Sequence, residues 1–550
     1  MRASLSRQVA QGTGSLLAAR VVVAAATLAT LPIVYGGLGA HTFGVWALLG
    51  LLCSLVLLVD LGLGPALIRE VAQAYGEQAR RRARAALGLG LLCGVGIGLV
   101  AIVATLAGWP LLARFFHLTD PVLQAREAAL WLMAGVLADR VSLPWRAMLA
   151  GTQRYAAIAA ATGLAALLGA AFSVLVIHFG GGLAALGAAT AASSAICTAL
   201  LTVLAYRTAH GLTPSLRQIR RSDVRSLFGY GLPVQVTRAA GAGTLQINPL
   251  LVGGAFGPAA VGGLDIGVRL LSLLRMPADL LFTVLFPITV AQAARYGRDW
   301  VDRFYLRATR YLAAFAVPCA AVLAVCAQPL VEFWMGHDVP WAAASVAILA
   351  PGYAVGLVVG VATMVTRAEG RPARETAALL VAFAMNVALI YPLLRLVGPL
   401  GAPVSTLVAV IASNAGFVVY FHRSTNRPVT PVLRAMCPGA VAGGVGAVAG
   451  WLVMPYLPDL PGRGGAGVTM ALGAVVVLLV AAVTLAAAGF FDSTERARLA
   501  GLLHRCAPTV RQRRRAARPL VPEPPAAKSV APPEPTIEKD EACGLSTSAG

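Results

Sequence analysis

Lysine is almost missing from this chain, and acidic residues are few. Of its 44 Lys and Arg side chains only Lys528 and Lys539 are Lys. Asp and Glu together number 23, and charged residues of all kinds make up 12% of the 550 positions against 58% hydrophobic. A soluble chain of this length needs far more polar surface. No GxxxxGK[ST] stretch is present and both Lys lie near the C-terminus, which excludes a P-loop ATP pump contained in this one chain. The seven His form no HxxH or HExxH set, so no metal site is expected. The eight Cys (53, 93, 197, 319, 326, 437, 506 and 543) are scattered without metal or redox spacing and read as small core residues. The glycine series "GLGLLCGVGIG" (88–98) mimics a dinucleotide loop but lies inside an apolar run, where close helix packing explains it better.

What the chain does have is oil. Its mean hydropathy is +0.77. Apolar runs long enough to cross a bilayer recur about fourteen times, near 15–35, 43–65, 85–107, 128–149, 156–178, 183–205, 231–254, 260–288, 311–331, 342–365, 376–396, 400–421, 436–456 and 468–490. The reading is an all-α polytopic membrane protein. The first run is too long, and too apolar on both flanks, for a cleaved signal peptide and is read as a retained helix.

Arginine placement sets the orientation. Connections after even-numbered runs are basic: the second carries Arg69, Arg80, Arg81, Arg82 and Arg84, the sixth Arg207, Arg217, Arg220, Arg221 and Arg225. Connections after odd-numbered runs are nearly bare: "GGLGAH", "FGGGL" and "GAFGPAAVGGL" hold no Lys or Arg. The positive-inside rule puts the even connections and both termini in the cytoplasm. The formal charge of +21 is therefore read as topology and tail, not as nucleic-acid binding. From about 492 the chain turns basic and then rich in Pro, Glu and Ala, a composition read as a disordered cytoplasmic tail. Its "RQRRR" cluster suits anionic lipid or plain solvation. The external connections are short, which weighs against a membrane glycosyltransferase or polymerase that grips substrate with extracytoplasmic loops.

Charges inside the apolar runs carry the functional reading. An Arg at mid-bilayer costs roughly 2.5–3.5 kcal/mol on insertion scales, so it faces a cavity or a partner. Arg20 sits about one turn into the first run. The fourth run holds Asp139, Arg140 and Arg146, and the seventh holds Arg238 between Gln235 and Gln246. In the eighth, Asp265, Arg269, Ser272, Arg275 and Asp279 fall within about 120° of helical arc. Its two acid–Arg pairs are spaced i,i+4. Two readings stand: structural ion pairs joining helices, or a hydrated Arg-lined cavity. The surplus of Arg over Asp in these runs favours the second, because guanidinium forks suit a phosphate or pyrophosphate.

Several motifs then resemble a known family. They are the Arg early in run one; "GAHTFGVWAL" entering run two and "DLGLGPALIRE" leaving it; "GTQRY" (151–155); "LFGYGLP" (227–233); and "FGPAAVGGLDIGVRLLSLLRMPADLLFTVLFP" (256–287). In order and spacing, over roughly residues 1–430, they resemble polysaccharide flippases, the Wzx-type branch of the MATE-like multidrug/oligosaccharidyl-lipid/polysaccharide (MOP) exporters. The resemblance implies two pseudo-symmetric six-helix lobes around a central cavity: an N-lobe at 1–207 (runs 1–6), a C-lobe at 208–430 (runs 7–12), two further helices at 431–491, then the tail at 492–550. It implies alternating access by rocking of the lobes, and transport of an undecaprenyl diphosphate-linked oligosaccharide to the outer leaflet of a bacterial cytoplasmic membrane. Arg20 and Arg269 match its pyrophosphate-binding positions best; Arg238, Arg140 and Arg146 complete the candidate set. Asp60 and Arg69 belong to its "DLGL..A..R" stretch, Arg69 at the cytoplasmic mouth and Asp60 deeper. Asp60 is read either as the anchor of a gate or coupling cation, or as a structural contact. Asp139, Asp265, Arg275 and Asp279 are further gate or coupling candidates. One departure matters: Leu264 and Asp265 stand where many relatives carry an aromatic. The expected partners are the lipid-linked glycan, membrane lipids, and a polymerase and glycosyltransferases; no cofactor is expected beyond coupling H⁺ or Na⁺. A lipid II flippase and a cation-coupled multidrug antiporter of the same fold are the nearest rivals.

Overall fold

A computed structural model describes residues 2–58, 62–77, 79–118, 122–208, 212–371, 373–458 and 460–490. The expected tail at 492–550 and Asp60 lie outside these residues. The described residues form α-helices joined by turns and short 3-10 pieces, with no strand among them. Residues 1–490 form one compact unit.

In chain order the helices are α1 (Arg2–Leu58), α2 (Leu63–Gly76), α3 (Arg80–Phe115), α4 (Val122–Gly151), α5 (Tyr155–His178), α6 (Leu183–Thr208), α7 (Arg221–Phe256) and α8 (Pro258–Val325). They continue with α9 (Ala327–Met335), α10 (Ala342–Ala368), α11 (Ala373–Val397), α12 (Gly401–Ser424), α13 (Thr430–Val453) and α14 (Gly462–Ala487). Nine described segments are long and apolar enough to cross a membrane. Two of them, Gly14–Leu58 with 45 residues and Ala373–Ser424 with 52, have the length of two crossings each. Helices α4 and α7 and the first arm of α8 add charged, span-length helices. The expected fourteen runs are consistent with this set.

Two expected connections are shorter than the sequence pattern indicates. α1 and α8 are each a pair of arms joined at one residue, Gly39 (φ 76°) and Gly297 (φ 69°). A left-handed glycine reverses the chain without a loop, because no Cβ meets the following carbonyl. The second run departs the other way: Gly62, in the left-handed region (φ 68°), interrupts it and starts a new helix, α2, at Leu63.

Packing pairs the helices in two groups. α3 lies on α4, α4 on α6, and α1 on α5; α8 lies on α10 and α13, α11 on α12, and α7 on α11. The groups meet where α1 touches α8 and where α2 touches α7. Near the connections that lack Arg, that seam is apolar: Leu31, Val34, Tyr35 and Phe43 pack into one core with Ile266, Leu270 and Val346. Trp334 of α9 donates its indole N–H to the Leu28 carbonyl at 3.0 Å. At the Arg-rich end the seam is ionic. Glu70 of α2, 5% exposed, accepts from Arg82 Nε at 3.0 Å and from Ser226 Oγ of α7 at 2.5 Å. Arg81 of α3 reaches Asp223 of α7 at 3.3 Å.

Candidate functional site

A cavity of about 650 Å³ lies among α1, α8, α10, α11 and α12. Arg20 enters it from α1 and Arg275 from α8, both exposed side chains. Its walls are mostly apolar or aromatic, including Phe282, Phe286, Tyr353, Leu357 and Phe417. Thr363, Thr406, Ser413 and Asn414 supply hydroxyl and amide groups. Toward the Arg-rich end it is rimmed by Arg367 and Glu375. Arg367 Nε donates to Glu375 Oε2 at 2.6 Å and Nη2 to Oε1 at 2.5 Å, a bidentate fork.

One wall is fixed by a neutral polar chain. The hydroxyl of Ser405, wholly buried, donates to Asn386 Oδ1 at 2.8 Å. Asn386 Nδ2 donates to Asn248 Oδ1 at 2.7 Å, and the Asn248 amide donates to the Thr406 hydroxyl. Buried amides satisfied in this way lock three helices, α7, α11 and α12, in one register.

The other sequence-predicted residues are placed elsewhere. Arg140 and Arg146 share Asp139 on α4, at 3.4 and 3.2 Å. Arg140 is 6% exposed, whereas the Asp139 and Arg146 side chains are about a third exposed, 32% and 36%. Arg269 donates to Asp265 at 2.6 Å across one helical turn. None of these five lines the cavity. Arg69 stacks its guanidinium over the Tyr230 ring at 4.6 Å, joining α2 to α7. Arg238 lies on α7 and Asp279 on α8, but their side chains fall outside the described set. So the structure brings Arg20 and Arg275 together and leaves Arg269 in the i,i+4 pair that its spacing foreshadowed.

Sequence reasoning passed over Arg367, Glu375 and Glu70. Arg367 and Glu375 sit at helix ends and Glu70 at the end of the second apolar run, beside the basic connections, where Arg and its counter-ions are expected for topology alone. It also passed over Gln235 as a contact. That amide accepts from the Gly62 N–H at 3.1 Å and donates to the Leu58 carbonyl, closing both sides of the break in the second run.

Chemically the cavity suits an anion. Among its described lining residues are three Arg and one Glu, and guanidinium forks match phosphate oxygens. Its volume falls in the ordinary range of ligand pockets. Among the described residues no group of three His, Cys, Asp or Glu is placed to hold a metal ion.

Solved structures share the fold. The lipid II flippase MurJ, in an inward closed conformation, matches at TM-score 0.65 and 12% identity over 86% of this chain and 98% of that one. An inward-facing multidrug resistance MATE-family transporter of the MOP superfamily matches at TM-score 0.62 and 15% identity, over 74% and 96%. A MOP superfamily transporter from Pyrococcus furiosus, described for the reverse polarity of its binding pocket, matches at 0.57 and 15%, over 77% and 96%. No curated protein matches significantly. At these identities the likeness shows the shared fold alone; the nine long apolar segments mark a multi-pass membrane protein. A family model, polysaccharide biosynthesis protein, matches residues 38–345, more than half of the sequence. The chain belongs to the polysaccharide biosynthesis protein family.

Proposed function

We propose that this protein flips a polyprenyl (undecaprenyl) diphosphate-linked oligosaccharide across a bacterial cytoplasmic membrane, for assembly of a cell-surface polysaccharide. The observation that carries the reading is the meeting of Arg20 from α1 and Arg275 from α8 in one cavity. Two guanidiniums from different helix groups on the walls of one chamber suit a diphosphate that both groups must grip. The Arg-rich end faces the cytoplasm, as do both termini. The headgroup enters at that end, its diphosphate meets Arg20 and Arg275, and the sugars lie against the hydroxyl and amide wall at Thr406, Ser413 and Asn414. Rocking of the lobes, 1–207 against 208–430, then releases the sugar on the other side. No bond is made or broken, because the barrier is the desolvation of sugar and charge in the bilayer. A proton or sodium gradient, or the membrane potential acting on moved charge, supplies the drive. Glycosyltransferases supply the cargo and a polymerase consumes it.

The family match weighs toward a glycan precursor rather than lipid II. Three Arg against one Glu in the described lining weigh against an exporter of cationic drugs. The test is Arg20→Ala and Arg275→Ala in cells that depend on the surface glycan. The expected result is loss of glycan at normal protein level, with lipid-linked precursor accumulating on the cytoplasmic face. Unchanged glycan output from both variants defeats the assignment.

A further inference from the structure

The diphosphate reading uses Arg20 and Arg275 and leaves the rim pair without a role. We propose that Arg367 and Glu375 form an exchangeable anion site: Glu375 holds the Arg367 fork in the geometry that a phosphate of the cargo takes over. This rests on the proposed function and names one more residue for its cargo.

A guanidinium offers five N–H donors in a rigid fork, and carboxylate and phosphate both accept from it in bidentate fashion. Arg367 gives Nε and Nη2 to the two oxygens of Glu375. The guanidinium side is open while the carboxylate is turned in: the side chains are 54% and 14% exposed. A phosphate can therefore approach Arg367 without first dismantling the packing around it.

Nearby charges are committed elsewhere. Glu369 accepts from Arg427 at 2.9 Å, and Arg427 also donates to Asp302 at 2.7 Å. Arg374 lies over the Tyr420 ring at 5.7 Å. Glu375 is thus the carboxylate that holds Arg367.

A plain helix-end staple accounts for part of this. Arg367 is in the last turn of α10 and Glu375 in the first turn of α11, where the helix dipoles favour each sign. A staple does not require either side chain to line the cavity that contains Arg20 and Arg275, and both do. The pair also marks the rim at the Arg-rich end, so a headgroup entering there meets Arg367 before the deeper arginines. Displaced, Glu375 turns toward water at the helix end.

The test measures binding of farnesyl diphosphate to the full chain in lipid nanodiscs. Glu375→Gln is expected to bind about tenfold tighter than wild type. Removing any negative charge from the site tends that way, so the decisive comparison is Arg367→Lys in the Glu375→Gln background. Lys keeps the charge but lacks the fork, and the gain is expected to vanish. If the double variant binds as tightly as Glu375→Gln, or if Glu375→Gln binds no better than wild type, the proposal is overturned. A second measurement needs no variant: farnesyl diphosphate is expected to protect Arg367 of wild type from an arginine-specific dicarbonyl reagent, read by mass spectrometry, and unaltered labelling overturns the proposal. Wild-type affinity retained in both Arg20→Ala and Arg275→Ala is a separate result, and sinks the diphosphate reading instead.

Discussion

At the scale of single residues, arginines that look alike in sequence divide by their company. Arg20 lines the cavity and has no carboxylate partner among the described residues, whereas Arg269 is tied to Asp265 at 2.6 Å. Their substitutions should therefore fail differently. Arg269→Ala strands Asp265 without its charge-assisted hydrogen bond, a loss of about 1.5–3 kcal/mol. It is expected to lower the thermal midpoint of the detergent-purified protein, and Asp265→Asn with Arg269→Gln to restore most of it. Arg20→Ala is expected to leave that midpoint nearly unchanged and to impair transport. A matching fall in stability for both variants sinks the distinction. The sequence reading reached Arg20 and Arg275 because a charge within an apolar run needs a reason. Arg367 and Glu375 stayed hidden because charge at the end of a run does not. The aromatic wall at Phe282, Phe286 and Phe417 was equally hidden, since Phe facing a cavity and Phe facing lipid spell the same in sequence.

At the scale of elements, the break in the second run is the feature to probe. Gly62 has φ 68°, and a Cβ placed on it comes 2.0 Å from the Gly231 carbonyl oxygen of α7. Gly62→Ala must strain its backbone and push α2 off α7, at a cost of about 2 kcal/mol or more. Gly444 on α13 has nothing within 4 Å of such a Cβ, so Gly444→Ala is expected to be neutral or slightly stabilising. Melting curves of the two variants check the contrast. Gln235→Ala removes the amide that serves both Leu58 and Gly62, and is expected to shift the melt in the same direction as Gly62→Ala, by a smaller amount. Hydropathy located the second run but not its break: "LVDLGLG" stays apolar on average, and only a partner on α7 shows why the helix can stop there.

At the scale of the whole molecule, the two ends of the seam are closed by different forces. One end is apolar, around Tyr35, Phe43 and Trp334; the other is ionic, around Glu70, Arg82 and Ser226. The ionic end is the easier to loosen by mutation, because Glu70, held in place by Arg82 of its own group, accepts from Ser226 across the seam. Glu70→Ala is expected to favour the state open at the Arg-rich end. A Cys at Asn414, in a chain whose own eight Cys have been replaced, should then be labelled faster by an impermeant thiol reagent from the cytoplasmic face. Equal labelling rates with and without Glu70→Ala count against an ionic latch. The fold class and the position of most helices were legible because hydrophobic length and arginine bias are bulk signals, summed over many residues. The seams were not, since each depends on a few contacts between residues far apart in the chain, such as Ser226 with Glu70.

The bends at Gly39 and Gly297 have a mechanical consequence. A single residue joining two long rods leaves no slack between them. Tilting one arm must therefore drag its sibling, as in a pair of tongs riveted at the tip. Lengthening either rivet by a few flexible residues would let the arms swing independently and waste the stroke.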